Sequence, residues 1–188
     1  DGAHMDGQVP VNLRELSCDF FAGSPHKWMF APPGCGLLYG RDDRLDQLWP
    51  TVVSNGWDDK SRGHAIRFMM IGTNNRSTID GMIAGVRYLK ALGEQRVYDR
   101  MHAMARLAMS EARKRSYIEL VTPDDSRFFQ AIVSLRFKSD KLDALRQAWK
   151  DNKMYVMGGP QVRLSLHVHT RPSDIGKFFE LADRHLGG

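Results

Sequence analysis

The sequence contains little cysteine and no long apolar run. Only Cys18 and Cys35 occur among 188 residues, so neither a disulfide framework nor CxxC metal spacing is predicted. No apolar segment approaches the roughly 18 residues that cross a bilayer, and no signal peptide is visible. We therefore expect a protein without a membrane partner that works in the cytoplasm. With 42% hydrophobic and 26% charged residues, the chain is typical of globular proteins that bury a core.

The chain carries only a modest excess of positive charge. Its 27 Lys and Arg residues outnumber 22 Asp and Glu residues, which gives a net charge of +5 and a pI near 9.4. A basic nucleic-acid-binding module is the non-enzyme alternative that this balance admits. The one dense basic run, residues 113–115, falls at the end of a predicted helix, where cations are favoured in any case. We therefore predict no nucleic-acid partner.

A metal site is the second alternative from another functional class. His167 and His169 alternate along a predicted strand, so their side chains lie on the same face. A zinc site needs further ligands, and no third one stands nearby in the sequence. The pattern favours packing or a substrate contact, and we predict no metal site.

Two short motifs carry the chemistry that we consider most informative. The chain begins with DGAH, from Asp1 to His4, and the motif SPHKW places Lys27 between polar and aromatic neighbours. A lysine amine forms an imine with an aldehyde, and a carboxylate such as Asp1 keeps a pyridine nitrogen protonated. His4 would stack on the ring or hydrogen-bond its phenolic oxygen, while Ser24 and His26 would hold a phosphate. Together these groups predict a site for pyridoxal phosphate.

The residues around Lys27 predict where this lysine lies. Residues 28–34 are almost all apolar, and they lead into a short strand pattern at 37–39, while residues 18–23 form another strand pattern that ends in glycine. We expect Lys27 on a tight connection between two buried strands, where burial would favour the unprotonated amine. Residues 2–5 also match a cloning remnant, but Asp1 precedes them and a strand-and-turn pattern follows.

The stretch from Asp1 to Arg41 resembles the cofactor-lysine region of class V aminotransferases, in particular their isopenicillin N epimerase-like and cysteine desulfurase-like branches. DGAH, DFF at 19–21, SPHKW and APPGCGLLY at 31–39 keep the order and spacing of that family. The resemblance implies an α/β fold: residues 1–95 form the C-terminal part of a fold type I pyridoxal-phosphate-dependent large domain. Residues 96–188 form a bridging helix and a small α+β C-terminal domain. It also implies that Lys27 and Asp1 are the catalytic residues.

Two further stretches extend the resemblance. Gly72 and Thr73 match a turn that reaches the phosphate held by the neighbouring subunit, which implies a homodimer. From the residues alone, this turn could equally cap the helix that follows. Arg163, in the run VRLSLH, matches an arginine that grips the substrate carboxylate. Its alternative is an arginine on a strand face that pairs with a surface acid.

The chain departs from the resemblance in two ways. The desulfurase branch needs a cysteine shortly before the strand of Arg163, and residues 151–160 contain none, so a persulfide mechanism is not predicted. At 188 residues and 21.4 kDa the chain is about half as long as a family member. We expect a fragment that lacks the N-terminal half of the same enzyme and is inactive without it.

The resulting functional hypothesis is a pyridoxal-phosphate enzyme that acts at the α-carbon of an amino acid substrate. Lys27 would attach the cofactor as an internal aldimine and then act as the base, in an isopenicillin N epimerase-like reaction. A C–S or β-elimination lyase and an aminotransferase remain alternatives, because the outcome depends on where the proton returns and what leaves.

Periodicity predicts the remaining elements. An amphipathic helix runs from Ser77 and ends at Gly93, and a second helix carries Val97, Met101 and Met104 on one face. In the C-terminal part we expect strands at 117–121, 128–137, 154–157 and 162–166. Helices are expected at 140–150 and, capped by Ser173, up to His185.

Overall fold

The computed structural model describes residues 1–59, 61 and 64–187. The chain divides into two compact units, Asp1–Glu94 and Gln95–Gly188. No helix in the described ranges is both long enough and apolar enough to cross a membrane.

The first unit contains a two-stranded antiparallel sheet and several helices. The elements of this unit are α1 (Leu13–Leu16), β1 (Phe20–Gly23), α2 (Pro25–Trp28), β2 (Leu37–Gly40), two 3₁₀ helices (Asp42–Gln47 and Ile66–Met69) and α3 (Arg76–Leu92). Strand β1 pairs with β2 so that Phe21 lies opposite Tyr39.

Helix α3 begins and ends close to where the sequence predicts. The side chain of Asn75 accepts a hydrogen bond from the Ser77 amide at 3.1 Å and so caps the first turn. Gly93 terminates the helix with a φ of 85°, a conformation that glycine adopts without steric cost. Within the helix, a Cβ at Gly85 would lie 2.5 Å from the Met29 carbonyl oxygen. The missing side chain therefore lets α3 approach the backbone that follows Lys27.

The second unit is a four-stranded antiparallel sheet packed with three helices. Its elements are α4 (Glu94–Arg113), β3 (Ile118–Leu120), β4 (Ile132–Phe137), α5 (Leu142–Asp151), β5 (Met157–Gly158), β6 (Gln161–Ser165) and α6 (Pro172–Leu186). The strand order in the sheet is β3-β4-β6-β5, and every neighbouring pair is antiparallel.

The core of the second unit explains why these elements form. Alternate residues of β4 and β6 are buried, as expected for a sheet with one covered face. Trp149 and Phe178 stack at 4.6 Å between ring centroids, and the fully buried Phe179 packs in the same cluster. Burying each such side chain contributes about 1.5–3 kcal/mol. As predicted, Val97, Met101 and Met104 all point inward from α4.

Three boundaries predicted in the second unit are wrong. The strand expected at 128–137 begins only at Ile132, because the chain turns just before it, where Phe128 donates its N–H to the Asp125 carbonyl. The strand expected at 154–157 begins only at Met157, because Lys153 adopts a left-handed φ of 58° and Met154 donates its N–H to the Trp149 carbonyl. These residues therefore close α5. The last helix begins at Pro172, which is preorganised for a first helical position. Its cap is Arg171, not Ser173.

The expectation of two buried strands beside Lys27 is also wrong for the residues described. Leu37 and Leu38 in β2 are 37% and 59% exposed, and only Phe21 in β1 is fully buried. Each strand has one strand neighbour within the described chain. An apolar run indicates that a segment tends to be buried, but the described residues of this unit leave β1 and β2 largely exposed.

Candidate active site

Lys27 lies on α2, the single helical turn that connects β1 to β2. Pro25 occupies the first turn, where its missing N–H and fixed φ cost nothing. Pro25 and Trp28 are both buried, so they anchor the two ends of the turn. Lys27 itself is exposed. The expected burial of this lysine is therefore not supplied by the described residues.

The fold brings Lys27 together with His4 from the first motif. Lys27 Nζ lies 3.4 Å from His4 Nε2, although the two residues are 23 positions apart. On the other side of the same imidazole, the Trp28 indole Nε1–H donates to His4 Nδ1 at 3.0 Å. A chain of three side chains thus runs from the buried indole to the exposed amine.

The direction of these hydrogen bonds has a chemical consequence. An indole N–H can only donate, so Nδ1 of His4 must accept and a neutral His4 carries its proton on Nε2. That Nε2–H can donate to the Lys27 nitrogen only when the amine has a lone pair. The same unprotonated amine is the form that attacks an aldehyde. The arrangement therefore suits a nucleophilic lysine.

Asp1 is held beside β1 by the backbone that follows it. Gly2 donates its N–H to the Ala22 carbonyl at 2.8 Å, and a Cβ at Gly2 would lie within 1.9 Å of the Phe21 ring. The Asp1 carboxylate is exposed and accepts a hydrogen bond from the Ala3 amide at 2.8 Å. DGAH thus lies against the strand that leads to SPHKW. The pairing of Asp1 with a ring nitrogen stays a prediction.

Ser24 and His26 flank the lysine on the same turn. Ser24 is the residue before the first turn of α2, but its hydroxyl forms no capping hydrogen bond. Its carbonyl accepts the Lys27 N–H at 3.0 Å, and His26 is exposed. The hydroxyl and the imidazole are both placed at one short turn and suit a phosphate.

Asp6 is a buried carboxylate that the sequence analysis missed. Its Oδ2 has no hydrogen-bond partner in the described part of the chain, and a Cβ at Gly23 would lie 1.9 Å from that oxygen. Burial raises the pKa of the Asp6 carboxyl, and interaction with the Ser24 amide lowers it less strongly. A signal existed in the sequence, because a second Asp-Gly pair, Asp6-Gly7, follows DGAH after a single intervening residue. Asp6 thus lies against the backbone that leads into Ser24.

Gly72 and Thr73 lie in the segment that precedes α3. Gly72 has a φ of 88°, and Thr73 is exposed. The capping alternative for this stretch is confirmed at Asn75. The proposed contact of Thr73 with a neighbouring subunit stays a prediction.

Arg163 lies on β6 of the second unit, opposite Ser134 on one side and Met157 on the other. Its neighbours Val162 and Leu164 point into the core, so Arg163 lies on the other face of the sheet. Its Nε is buried, yet it has no hydrogen-bond partner among the described residues. The alternative of a paired strand arginine is therefore not observed there.

The two histidines of the metal alternative do not converge on a common point. The rings of His167 and His169 stack at 5.0 Å and 18°, and His167 Nδ1 accepts the Val168 N–H. Among the described residues, no group of three or more His, Cys, Asp or Glu side chains could hold a metal ion.

The groups around Lys27 fit a phosphate-bearing aromatic aldehyde. They comprise an amine, two imidazoles, a hydroxyl that is not used for capping and an exposed carboxylate, all on segments packed around β1 and α2. An amine supplies the nucleophile, and the hydroxyl and His26 supply hydrogen-bonding groups for an anion.

Comparison with known proteins gives a consistent result. The family profile described as Aminotransferase class-V matches residues 1–176. Isopenicillin N epimerase of Streptomyces clavuligerus is 26% identical across 100% of this chain and 52% of its own length. That of Amycolatopsis lactamdurans is 27% identical across 96% and 50%. A putative L-cysteine desulfhydrase of Oryza sativa subsp. japonica is 38% identical over 79 residues, 41% of this chain and 16% of its own.

Solved structures show the same fold. A variant of C-DES with glycine covalently linked to its PLP cofactor superposes with a TM-score of 0.84 at 20% identity. The match covers 97% of this chain and 50% of that one. The chain therefore spans about half the length of the epimerases and of the solved structure that it matches.

Proposed function

The chain belongs to the class V aminotransferases, a pyridoxal-phosphate-dependent family, and from this premise we propose that Lys27 is its cofactor-binding lysine. The predicted fold class, the C-terminal part of a fold type I enzyme, agrees with the solved structures. The observation that carries the proposal is the 3.4 Å approach of Lys27 Nζ to His4 Nε2. It unites residues from two motifs, although Lys27 and His4 lie 23 positions apart in the sequence.

The proposed roles of the other residues follow their chemistry. Asp1 supplies a carboxylate for the pyridinium nitrogen, and His4 lies beside the amine where the ring would lie. Ser24 and His26 offer a hydroxyl and an imidazole to the phosphate. Arg163 offers a guanidinium whose Nε has no partner in the described chain, which suits a substrate carboxylate.

The reaction proceeds by proton transfer at the substrate α-carbon. When bound, pyridoxal phosphate supplies an electron sink that makes this α-proton acidic. Lys27 then acts as the base, and His4 orients its nitrogen. The indole of Trp28 holds His4 in the tautomer that this contact requires.

An epimerase-like reaction is the outcome that the comparisons favour. Both isopenicillin N epimerases match this chain over 96% of its length or more. Epimerisation further requires that a proton returns to the opposite face of the α-carbon.

A C–S lyase is the second candidate. The support is the desulfhydrase, whose identity to this chain reaches 38% over a shorter stretch. The absence of cysteine from residues 151–160 disfavours a persulfide reaction but not a simple elimination. An aminotransferase is the remaining alternative.

We also propose that the protein acts as a homodimer, with Gly72 and Thr73 reaching the phosphate site of the neighbouring subunit. The segment before them exposes several large apolar side chains, as an interface between subunits would. These exposed residues are Trp49, Val52, Val53, Met69 and Ile71.

The test of the cofactor assignment is chemical. The full-length protein, incubated with pyridoxal phosphate and reduced with borohydride, should carry the reduced cofactor on Lys27, as read by peptide mass spectrometry. Lys27→Ala should lose both this adduct and the visible absorbance, whereas Lys90→Ala, at an exposed lysine of α3, should retain them. An adduct on another lysine would refute the assignment.

The reaction type is tested separately with a panel of L-amino acids. Chiral chromatography detects epimerised products, and assays for keto acids and sulfide detect elimination. The expected product is the D-epimer, or the epimer at one α-carbon of a peptide-like substrate. Sulfide and pyruvate from cysteine would instead favour the lyase.

A further inference from the structure

The second unit contains a cleft that has no role in the chemistry proposed above. It has a volume of about 480 Å³ and lies between the end of α5, strand β6 and the start of α6. Volumes of 300–1,000 Å³ are typical of small-molecule sites. Its floor is apolar and is formed by Met154, Leu164, Ile175 and Phe178.

The cleft is separate from the proposed substrate-binding arginine. Leu164 points to the core-facing side of β6 and lines the cleft. The described residues that line the cleft do not include Arg163, which is adjacent to Leu164 and points to the opposite face of the sheet. A ligand that rests on the apolar floor would therefore not contact the guanidinium of Arg163 directly.

The rim of the cleft carries positive charge without matching acids. Lys153 and Lys177 both line the cleft and are exposed. Neither forms an ion pair with any residue in the described ranges. The one carboxylate in the lining, Asp174, accepts hydrogen bonds from the Arg171 backbone N–H at 2.9 Å and from its guanidinium at 2.8 Å. The Asp174 carboxylate is thus already hydrogen-bonded to Arg171.

The backbone of Lys153 gives a second observation. Lys153 occupies the left-handed position that ends α5, with its N–H bonded to the Lys150 carbonyl and the Met154 N–H bonded to the Trp149 carbonyl. Glycine is the favoured residue at this position. A lysine there carries a steric cost, and its side chain lines the cleft.

We propose that this cleft binds a small organic monoanion, with an apolar body on the floor and a carboxylate between Lys153 and Lys177. The free charged groups of the rim are cations. A zwitterionic amino acid would bring its ammonium group toward these cations, and the carboxylate in the lining, Asp174, already accepts hydrogen bonds from Arg171. The site therefore selects a simple carboxylate over an amino acid of the same shape.

The test uses three probes with the same phenyl body: 3-phenylpropanoate, 3-phenylpropanamide and L-phenylalanine. Each is titrated into the full-length protein labelled with ¹³C at the methionine methyl groups. The Met154 signal, identified by its loss in Met154→Leu, reports on the floor of the cleft. We expect 3-phenylpropanoate to shift this signal at the lowest concentration. Binding should weaken as salt is added.

Two variants separate binding from folding. Lys153→Gly places the favoured residue at the end of α5 and Lys177→Ala places a strong helix former in α6, so neither should lower the unfolding temperature. Each should weaken 3-phenylpropanoate binding, and the double variant by roughly threefold to tenfold. The double variant Lys90→Ala with Lys138→Ala removes two exposed lysines elsewhere and should leave the affinity unchanged.

Three results would overturn the proposal. The Met154 signal could fail to respond to 3-phenylpropanoate at millimolar concentration. The amide or phenylalanine could bind as tightly as the acid. Arg163→Ala could abolish the response while the two lysine variants leave it intact, which would place the probe at the proposed substrate site. None of these readouts depends on whether Lys27 carries the cofactor.

Discussion

The contact among Lys27, His4 and Trp28 shows how a buried residue controls an exposed one. Lys27 is exposed, and among the described residues its amine contacts His4, so its orientation depends on the imidazole. The imidazole in turn is fixed by an indole that is 3% exposed. A rigid indole therefore determines which nitrogen of His4 faces the amine.

We expect Trp28→Phe to weaken cofactor binding by roughly tenfold, because it removes the hydrogen bond that sets the tautomer of His4. Affinity is measured by titrating pyridoxal phosphate and following the visible absorbance. Unfolding by urea in parallel separates lost packing from lost orientation. Tyr155→Phe, at an aromatic side chain of the second unit that is 88% exposed, is the control and should bind the cofactor normally.

A double-mutant cycle decides whether Trp28 acts through His4. In a His4→Ala background, Trp28→Phe should have little further effect on cofactor affinity, because the acceptor is already gone. Additive losses from the two substitutions would contradict a shared hydrogen bond and leave only a packing role for the indole.

At the residue scale, the sequence identified the reactive groups but not the residues that orient them and pack against them. The motifs DGAH and SPHKW pointed to Lys27 and His4, since amines and imidazoles have recognisable chemistry. The roles of Trp28 and Asp6 depend on contacts between segments that are distant in the chain. Such contacts cannot be derived from residue type and spacing.

Helix α3 supports the turn of Lys27 through a glycine. A Cβ at Gly85 would come within 2.5 Å of the Met29 carbonyl oxygen and 2.9 Å of Phe30 backbone atoms. We expect Gly85→Ala to lower the free energy of unfolding by about 1–3 kcal/mol and to reduce cofactor affinity. Gly176→Ala is the control, because Gly176 in α6 has open space around it. It should stabilise the protein by about 0.5–1 kcal/mol.

The ends of three elements in the second unit meet at Asp183. Its carboxylate accepts hydrogen bonds from Arg115 Nε at 2.8 Å, Arg115 Nη2 at 2.7 Å and the Tyr117 hydroxyl at 2.5 Å. The guanidinium of Arg115 is the main reason that the pKa of Asp183 is lowered. The carboxylate thus links the C-terminal end of α4 and the start of β3 to α6.

This lowered pKa predicts a pH dependence of stability. The folded state holds the Asp183 proton less tightly than the unfolded state, whose pKa is near 3.8. The stabilisation is therefore complete above that value and is lost as the pH falls through the lower, folded pKa. Asp183→Asn should cost about 0.5–1 kcal/mol at pH 7, and the difference from wild type should shrink below about pH 4.

Urea unfolding between pH 7 and pH 3 measures this difference. Asp143→Asn is the matched control, because the Asp143 side chain is 97% exposed and its contact with Arg146 is long at 3.4 Å. It should change stability little at any pH. A loss in Asp183→Asn that stays constant down to pH 3 would contradict the assignment of the shift to Asp183.

Element positions were largely predictable where periodicity was long: the apolar spacing of α4 matched its buried face, and α3 begins and ends within one residue of its predicted bounds. The predicted strand at 154–157 failed because four apolar residues in a row do not distinguish a strand from a helix terminus. The deciding feature was the left-handed Lys153, and nothing in the residue type signals it. The exposure of Leu37 and Leu38 likewise could not be predicted, because burial depends on which other segments pack against a strand and not on the strand's own residues.

At the scale of the molecule, the chain supplies part of what the proposed reaction needs. Its elements carry an amine, its imidazole neighbour, the hydroxyl and imidazole proposed to bind the phosphate, and a strand arginine. The chain spans about half the length of the epimerases it matches. The identity of the substrate and the group that returns the proton therefore could not be derived from these residues, even though the family could.

The proposed dimer can be tested by subunit complementation. Lys27→Ala removes the amine from its own site but keeps a normal Thr73 for the neighbouring subunit. Thr73→Val keeps Lys27 but should weaken the neighbour's phosphate site. In a mixed dimer, the site that retains Lys27 receives Thr73 from the other chain and is intact.

We expect each full-length variant to have little activity alone, and a refolded equal mixture to recover roughly a quarter of the wild-type rate, since half the dimers are mixed and each has one intact site. If Thr73 instead served its own subunit, every site in the mixture would carry one defect and no activity would return. Sedimentation analysis confirms that the mixture is dimeric. The mixture's rate, compared with the mean of the two variants, therefore distinguishes a shared site from a separate one.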